Sequence, residues 1–518
     1  MKIHKKNETY IYIECERSIS KHLSDYFSFY TSDYYFNPKF KSKQWDGKIR
    51  LYNLKTSQIY VGLFKKILKF AKDFEYEITY IDPALYPPST DVREIEEFID
   101  QLTFYSKSNK CFLKIHDYQK EAIIYCIKDP RTLLLSPTSS GKSLMIYSLV
   151  RWYQRTVKKK ILIIVPSTSL VEQFYDDFED YSYKEKDWKV EDNIHRIYSG
   201  KDKSSTKQIF ISTWQSIYKE PLSFFNQFEK LIVDEAHGAT AASLKQIAEK
   251  SINCASRIGT TGTIKDTTTH KLVLEGIFGP IHKLITTKDL IDMNHISNLT
   301  INVIILQYSK ETKQQLFKSI NDKSKGSKKA SEKYHSEIEF LITNEKRNNF
   351  ISKLAVHNKD NTLIMFNRIK HGEELFRLID ALDSGQETFF VAGKTKTTER
   401  EIIKKKTFKN NNLNIVASTV FSTGVNMPNL QYYIGAHPSK SEIRILQSIG
   451  RLLRKDGKEN HAQIYDIADD LRRFIPDKKN PGKTKVSWEN YSYKHARERI
   501  RLYKQQKFNY KIIKIQVD

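Results

Sequence analysis

Lys142, between Gly141 and Ser143, sits inside a stretch whose residue types change in a fixed order, Arg131 to Val150 (RTLLLSPTSSGKSLMIYSLV). Thr132 to Leu135 are apolar and strand-like, Ser136 to Ser140 are mostly small and polar, and the remainder carries apolar residues at helical spacing. A strand, a flexible loop and a helix N-terminus in that order make a cradle for the phosphates of a nucleoside triphosphate. Pro137, Thr138, Ser139, Ser140 and Gly141 form the loop, whose backbone N–H groups face the phosphates beside the positive end of the helix dipole. Lys142 supplies a mobile cation, and the Ser143 hydroxyl is suited to hold Mg²⁺. The usual pattern has a glycine where Ser136 stands, followed here by Pro137, so the motif is met in part, and a Ser/Pro turn capping an ordinary helix has similar letters.

Two acids, Asp234 and Glu235, follow the apolar run LIV, 92 residues after Lys142. Strand ends in a parallel sheet gather on one edge, so these carboxylates are expected beside the phosphate loop. Asp234 then holds Mg²⁺ through water and Glu235 polarises the attacking water. A third group is QSIGRLLRK, where Gln447, Arg451 and Arg454 share one helical face. Guanidinium groups supplied from a second domain would stabilise charge building on the γ-phosphate. Taken alone, the same helix reads more readily as a basic DNA-binding or salt-bridged surface.

Near the N-terminus, Lys39, Lys41, Lys43, Lys48 and Arg50 alternate with Phe40, Trp45 and Tyr52 around an Asp-Gly turn. Cations for phosphates beside rings that stack on bases suit a nucleic-acid surface. A strand, turn and strand with Phe40 and Trp45 facing inward has the same pattern.

The elements that must position these groups are legible as alternation. Residues 1–88 form a small α+β domain, from the strand ETYIYIECE and the helices SISKHLSDYFSF and GLFKKILKFAKDF, closed by Pro87-Pro88-Ser89. From about residue 110, apolar strands alternate with helices (KILIIVPSTSLVEQF, QIFISTWQSI, KLIVDEAH, RIGTTGT), which implies βαβ units and a parallel sheet over 89–297. A second such series occupies 298–479, so the fold class is α/β with two tandem parallel-sheet domains. Residues 309–347, rich in Lys and Ser, are expected to form a mobile insertion. Residues 480–518 are expected to form a basic C-terminal extension, with 14 Lys or Arg against 4 Asp or Glu over residues 471–518.

At 518 residues the chain exceeds one core, and its formal net charge of +25 points to a polyanionic partner, nucleic acid by default. No apolar run is long enough to cross a bilayer and Met1 to Glu8 lacks a secretory core, so a soluble, cytoplasmic protein without membrane contact is expected. Cys15, Cys111, Cys126 and Cys254 form no CxxC pair and are expected to be small buried hydrophobes.

In order, HDYQKEAI, PTSSGKS, VPSTSLVEQ, STWQS, DEAH, TGT, VASTVFSTGVNMPNL and QSIGRLLR resemble the motifs of superfamily 2 helicases. FNPKFKSKQWDGKIRL and the late FNY extend the likeness to the recombination and branch-migration helicases of tailed bacteriophages. The resemblance implies two RecA-like domains, ATP with Mg²⁺, and a monomer acting in the host cytoplasm. Its implied substrate is DNA, single-stranded, duplex or branched, as forks, R-loops with their RNA–DNA hybrids, and four-way junctions. By motif it implies Gln119 on adenine, His237, Thr261, Thr263 and Gln447 in coupling, and Gly424, Arg451 and Arg454 across the cleft. It places Ser167, Thr213 and Trp214 on the nucleic-acid strand, whereas Lys39, Lys41, Trp45, Lys48 and Arg50 of the first domain are candidates for DNA contact from their own cation-and-ring pattern. TGT in place of SAT weakens an RNA-remodelling reading. The rivals are an RNA helicase or restriction-type motor, and a basic annealing protein with a vestigial ATPase; no separate nuclease constellation is visible.

Overall fold

The computed structural model describes the chain apart from residues 32–33, 88, 108–109, 199, 241, 263–267, 324–329, 383–384, 411, 419–428, 438–460, 477–483 and 518. Contacts divide it into two compact units, Met1–Ile285 and Thr286–Asp518. Each is built on a seven-stranded sheet whose strands pair in parallel.

In the first unit the spatial order is Ile194–Ile197, Ile209–Thr213, Lys160–Val165, Phe228–Asp234, Ser256–Thr261, Arg131–Leu135, Ile281–Lys283. KILIIV is apolar without alternation because both faces of a parallel strand are covered. Ile161, Ile163 and Val165 pack in one layer with Tyr147, Val150, Phe174 and Phe178, whereas Leu162 and Ile164 pack in the other with Leu244, Ile247 and Phe278. Register then levels the strand ends: Val165 pairs with Thr213, Ile164 with Val233, Asp234 with Thr260 and Thr261 with Leu135. The loops that follow these strands therefore share one edge.

The N-terminal residues form a four-stranded sheet in the order Gln58–Tyr60, Tyr10–Glu14, Lys2–Lys5, Tyr80–Ile81, covered by helices Arg17–Tyr26 and Phe64–Asp73. Within the first unit this sheet is bonded to the feet of two strands of the large one. Arg131 pairs with Glu8 at 3.0 Å, and the buried Arg257 guanidinium donates to the Thr9 hydroxyl at 2.6 Å. Tyr60 and Tyr10 both donate to Glu249, at 2.6 and 3.1 Å.

In the second unit the order is Glu387–Val391, Leu413–Ser418, Thr362–Phe366, Tyr432–Gly435, His461–Asp470, Asn298–Gln307, Tyr510–Gln516. One expectation fails here, and a second, a C-terminal extension that either contacts DNA or docks as a helix, is given its form. The stretch expected to be a mobile insertion, 309–347, holds helices Lys310–Lys323 and Ala330–Thr343, with Leu316, Ile320 and Leu341 buried in the core. A Leu316 and Ile320 pair, one helical turn apart, suffices to dock a helix whose other faces are charged. Nor is 480–518 merely an appended tail: helix Tyr491–Gln505 and strand Tyr510–Gln516 complete the sheet edge, and the helix buries Arg499 against Asp466 at 2.7 Å. The cysteines also divide, Cys126 and Cys254 buried, Cys15 partly buried and Cys111 exposed.

Candidate active site

The apolar strand Arg131–Leu135 runs into Ser136, and helix Lys142–Thr156 begins at the next apolar-periodic stretch. Between them Ser139 (φ 68°) and Gly141 (φ 80°) take left-handed backbone, the kind of bend from which anion-binding nests are built. Glycine suits 141, because φ 80° is backbone that L side chains rarely adopt and a Cβ there would displace the Gln119 amide, 2.2 Å away. Gln119 reaches the loop by donating to the Ser140 carbonyl at 2.9 Å, while its Oε1 accepts from the His116 N–H at 2.9 Å. Tyr118, which sequence reasoning missed, also donates to the Ser140 carbonyl, at 3.1 Å.

The serine that replaces the usual glycine keeps the loop intact. Ser136 is fully buried and its hydroxyl bonds that of Ser140, which in turn donates to the Pro137 carbonyl at 2.7 Å. Lys142 donates to the carbonyls of Ser136 (3.2 Å) and Pro137 (3.1 Å), so its ammonium lies over the loop. Ser143 shares a hydrogen bond with the Tyr181 hydroxyl at 2.9 Å, a partner no sequence pattern had suggested.

Asp234 ends its strand and is 6% exposed, accepting from the Thr260 hydroxyl at 2.7 Å. Burial pushes its carboxyl up to about 6, the Glu235 charge adds to the rise, and Lys142 opposes it. Lys142 and Asp234 thus share one electrostatic site, as the strand register requires. Glu235 adopts φ 51°, and its carboxylate lies 3.1 Å from His237 Nδ1, which is also 3.1 Å from the Thr261 hydroxyl. His237 therefore links the acid to the strand that carries Thr261. Thr263, Gly424, Gln447, Arg451 and Arg454 lie outside the described residues.

The residues proposed for the nucleic-acid strand sit on the same edge. Thr213 ends its strand with its hydroxyl 2.8 Å from that of Ser216, and Trp214 opens the following helical turn beside Gly238. Ser167 caps helix Thr168–Tyr181 by accepting from the Leu170 N–H at 3.3 Å, so a cap accounts for its side chain. In the N-terminal domain Lys39 and Lys41 are exposed. Arg50, in contrast, is chelated by Asp46 at 2.6 and 3.2 Å, which holds that carboxyl below its ordinary range, and the Trp45 indole donates to the Lys48 carbonyl at 2.8 Å.

Among the described residues no cluster of three His, Cys, Asp or Glu would hold a metal unaided. Mg²⁺ carried by nucleotide phosphates needs only one or two protein ligands, and a hydroxyl at Ser143 with a buried carboxylate at Asp234 fits that demand.

The raised Asp234 carboxyl has a measurable consequence. Its folded value of about 6 lies above the ordinary 3.8, so the native state favours the proton. The destabilisation from this buried charge is fully present above pH 6 and is relieved as pH falls toward 4. Asp234→Asn, which still accepts from Thr260, is expected to stabilise the nucleotide-free protein by about 2 kcal/mol at pH 7.5. Urea unfolding at several pH values should show that advantage shrinking below pH 6; an advantage independent of pH would refute the assignment.

Three family models match the chain: the N-terminal domain of DNA helicase UvsW over residues 1–82, the res subunit of type III restriction enzymes over 112–266, and the helicase conserved C-terminal domain over 345–456. The chain is 34% identical over 519 residues to the ATP-dependent DNA helicase uvsW of Enterobacteria phage T4, spanning 98% of each. The crystal structure of T4 UvsW aligns with 100% of this chain and 99% of its own, at 33% identity and a TM-score of 0.50. The DNA 3'-5' translocase XPB2 of Sulfurisphaera tokodaii is 26% identical over 412 residues, 73% of this chain and 87% of that protein.

Proposed function

This chain belongs to the UvsW family of ATP-dependent DNA helicases within superfamily 2, and from that premise we infer a motor that remodels branched DNA, namely forks, R-loops and four-way junctions. It is a helicase driven by ATP, with two RecA-like domains and a small N-terminal domain. The observation that supports the reading best is the level carboxyl edge of the first large sheet, which gathers the phosphate loop, Asp234 and Thr261.

On this reading the loop Pro137 to Gly141 binds the triphosphate, Lys142 leaves its two carbonyls for the β- and γ-phosphates, and Gln119 positions the adenine. Bound Mg²⁺ would neutralise phosphate charge, held by Ser143 and, through water, by Asp234. Glu235 orients and deprotonates the attacking water, and His237 reports its state to Thr261. By the family motif, Arg451 and Arg454 would stabilise the charge that develops on the γ-phosphate, Gly424 would serve nucleotide binding, and Gln447 would serve coupling. The proposed division of the chain is an accessory DNA-binding region over 1–88, the nucleotide-binding domain over 89–297, and the arginine-bearing domain from 298, whose sheet the basic segment after 480 completes. Ser167, Thr213 and Trp214 lie along the tracked strand, and a monomer in the host cytoplasm suffices.

Contacts to phosphates make such a motor largely indifferent to sequence and sensitive to salt. ATP turnover measured with single-stranded DNA, blunt duplex, a forked duplex and RNA tests the substrate class. The fork is expected to stimulate most, at least fivefold over blunt duplex. Equal stimulation by RNA would favour an RNA helicase, and turnover equally fast without nucleic acid would remove the coupling.

A further inference from the structure

The N-terminal domain carries a stack of rings that the basic pattern of its sequence hid. Strand Lys48–Arg50 pairs with Ser28–Tyr30, and the chain between them folds over this ribbon. Tyr30 lies against Tyr34 with ring centroids 4.7 Å apart at 26°, and Tyr34 against Tyr35 at 3.9 Å and 29°. Phe40 closes the side of this column, meeting Tyr34 edge-on at 4.8 Å. The turn is shaped to admit the column: Gly47 has φ 82°, and a Cβ there would lie 2.6 Å from the Tyr34 ring.

The outer end of the column is exposed to water. Tyr35 is 62% exposed and the adjacent Phe36 74%, beside Tyr30 at 49%. Isolated exposed rings are ordinary, but a contiguous stacked column whose end ring, Tyr35, is exposed, with the exposed Phe36 next to it in the chain, is an apolar patch with a flat face. Its surroundings are cationic. Over residues 34–50 there are five Lys or Arg against the single Asp46, whose charge is taken by Arg50. Lys41 and Lys43 line one concavity with Tyr35, Phe40 and Trp45, Lys39 is exposed on the same short helix as Lys41, and Lys48 lies 5.1 Å over the Tyr30 ring.

We propose that Tyr35 and Phe36 are a stacking platform for unpaired bases of DNA, with Lys39, Lys41 and Lys43 holding the flanking phosphates. This deepens the reading of residues 1–88 as DNA-binding and rests on it. Flat rings beside ammonium groups discriminate by base accessibility: a duplex offers only phosphates to the lysines, whereas single strands and the open centre of a branch offer base faces as well. The domain is bonded to two strands of the large sheet through Glu8 and Thr9, and to helix Ala242–Lys250 through Tyr60 on Glu249, so bases held on the platform stay on the first unit.

The test uses the full-length chain with the double variant Tyr35→Ala/Phe36→Ala, its aromatic counterpart Tyr35→Phe/Phe36→Tyr, and the triple variant Lys39→Ala/Lys41→Ala/Lys43→Ala. Affinity is measured for a single strand, a fork and a blunt duplex across a salt series, with 2-aminopurine in the single-stranded segments reporting stacking. The alanine double variant should bind the single strand and fork about tenfold more weakly and lose the 2-aminopurine quench, with duplex affinity and salt slope unchanged. The aromatic counterpart should restore both, which excludes misfolding as the cause. The lysine variant should weaken all three substrates and flatten the salt slope. If the lysine variant behaves so but the double variant changes nothing, or changes duplex and single strand alike, the platform is wrong and the DNA-binding domain stands. If none of the variants alters any affinity, the underlying reading of residues 1–88 falls with it.

Discussion

Lys142→Ala is expected to lower ATP turnover by 10²- to 10³-fold, on the order of 3 to 4 kcal/mol of transition-state stabilisation, and to weaken ATP binding. The side chain lies over the loop on the Ser136 and Pro137 carbonyls, so it is already held where phosphate oxygens would displace them. Its charge also opposes the rise of the Asp234 carboxyl. Removing it therefore shifts Asp234 further toward its protonated form, and residual activity should fall off at a higher pH than in the unaltered chain. Equilibrium binding of ATP, turnover as a function of pH and unwinding of a fork measure all three effects. Unwinding that survives the substitution while DNA binding persists would leave only a basic DNA-binding protein with a dispensable ATPase.

Glu235→Gln is expected to separate binding from chemistry. The phosphate loop, Lys142 and Ser143 are untouched, so ATP affinity should change less than threefold, whereas single-turnover hydrolysis should slow by about 10³-fold, the usual contribution of a positioned base. Glutamine keeps the shape and an acceptor toward His237, which lies 3.1 Å from the native carboxylate, so a structural role alone would leave the rate nearly intact. The variant should hold ATP and DNA together without turning over, visible as ATP-dependent retention on a fork. Hydrolysis within tenfold of the unaltered chain would place the base elsewhere.

Each difference between expectation and structure has a local cause. Ser136 looked like damage to the phosphate loop, yet its buried hydroxyl completes a chain through Ser140 to the Pro137 carbonyl. Arg50 looked like a free cation, but the Asp46 carboxylate four residues earlier takes its charge. The charge of 309–347 hid the buried apolar pairs Leu316/Ile320 and Ile338/Leu341, and the basic count after residue 470 hid a strand that finishes the second sheet. Composition averages over faces, whereas burial is decided face by face.

By itself the sequence determined the parallel-sheet class and singled out the Ser136 to Ser143 loop and the DEAH strand end as the candidate nucleotide site. Those depend on short-range patterns, apolar runs followed by small, acidic or glycine residues, which a linear reading preserves. Only the tertiary structure decided that Tyr181 meets Ser143, that Thr260 meets Asp234, and that Glu8, Thr9 and Glu249 tie the N-terminal sheet to the large one. It likewise decided that Tyr30, Tyr34 and Tyr35 form one column of rings. These contacts join side chains whose neighbourhood is set by strand register and by the turn at Gly47, and three-dimensional adjacency of that kind leaves no period or motif along the chain.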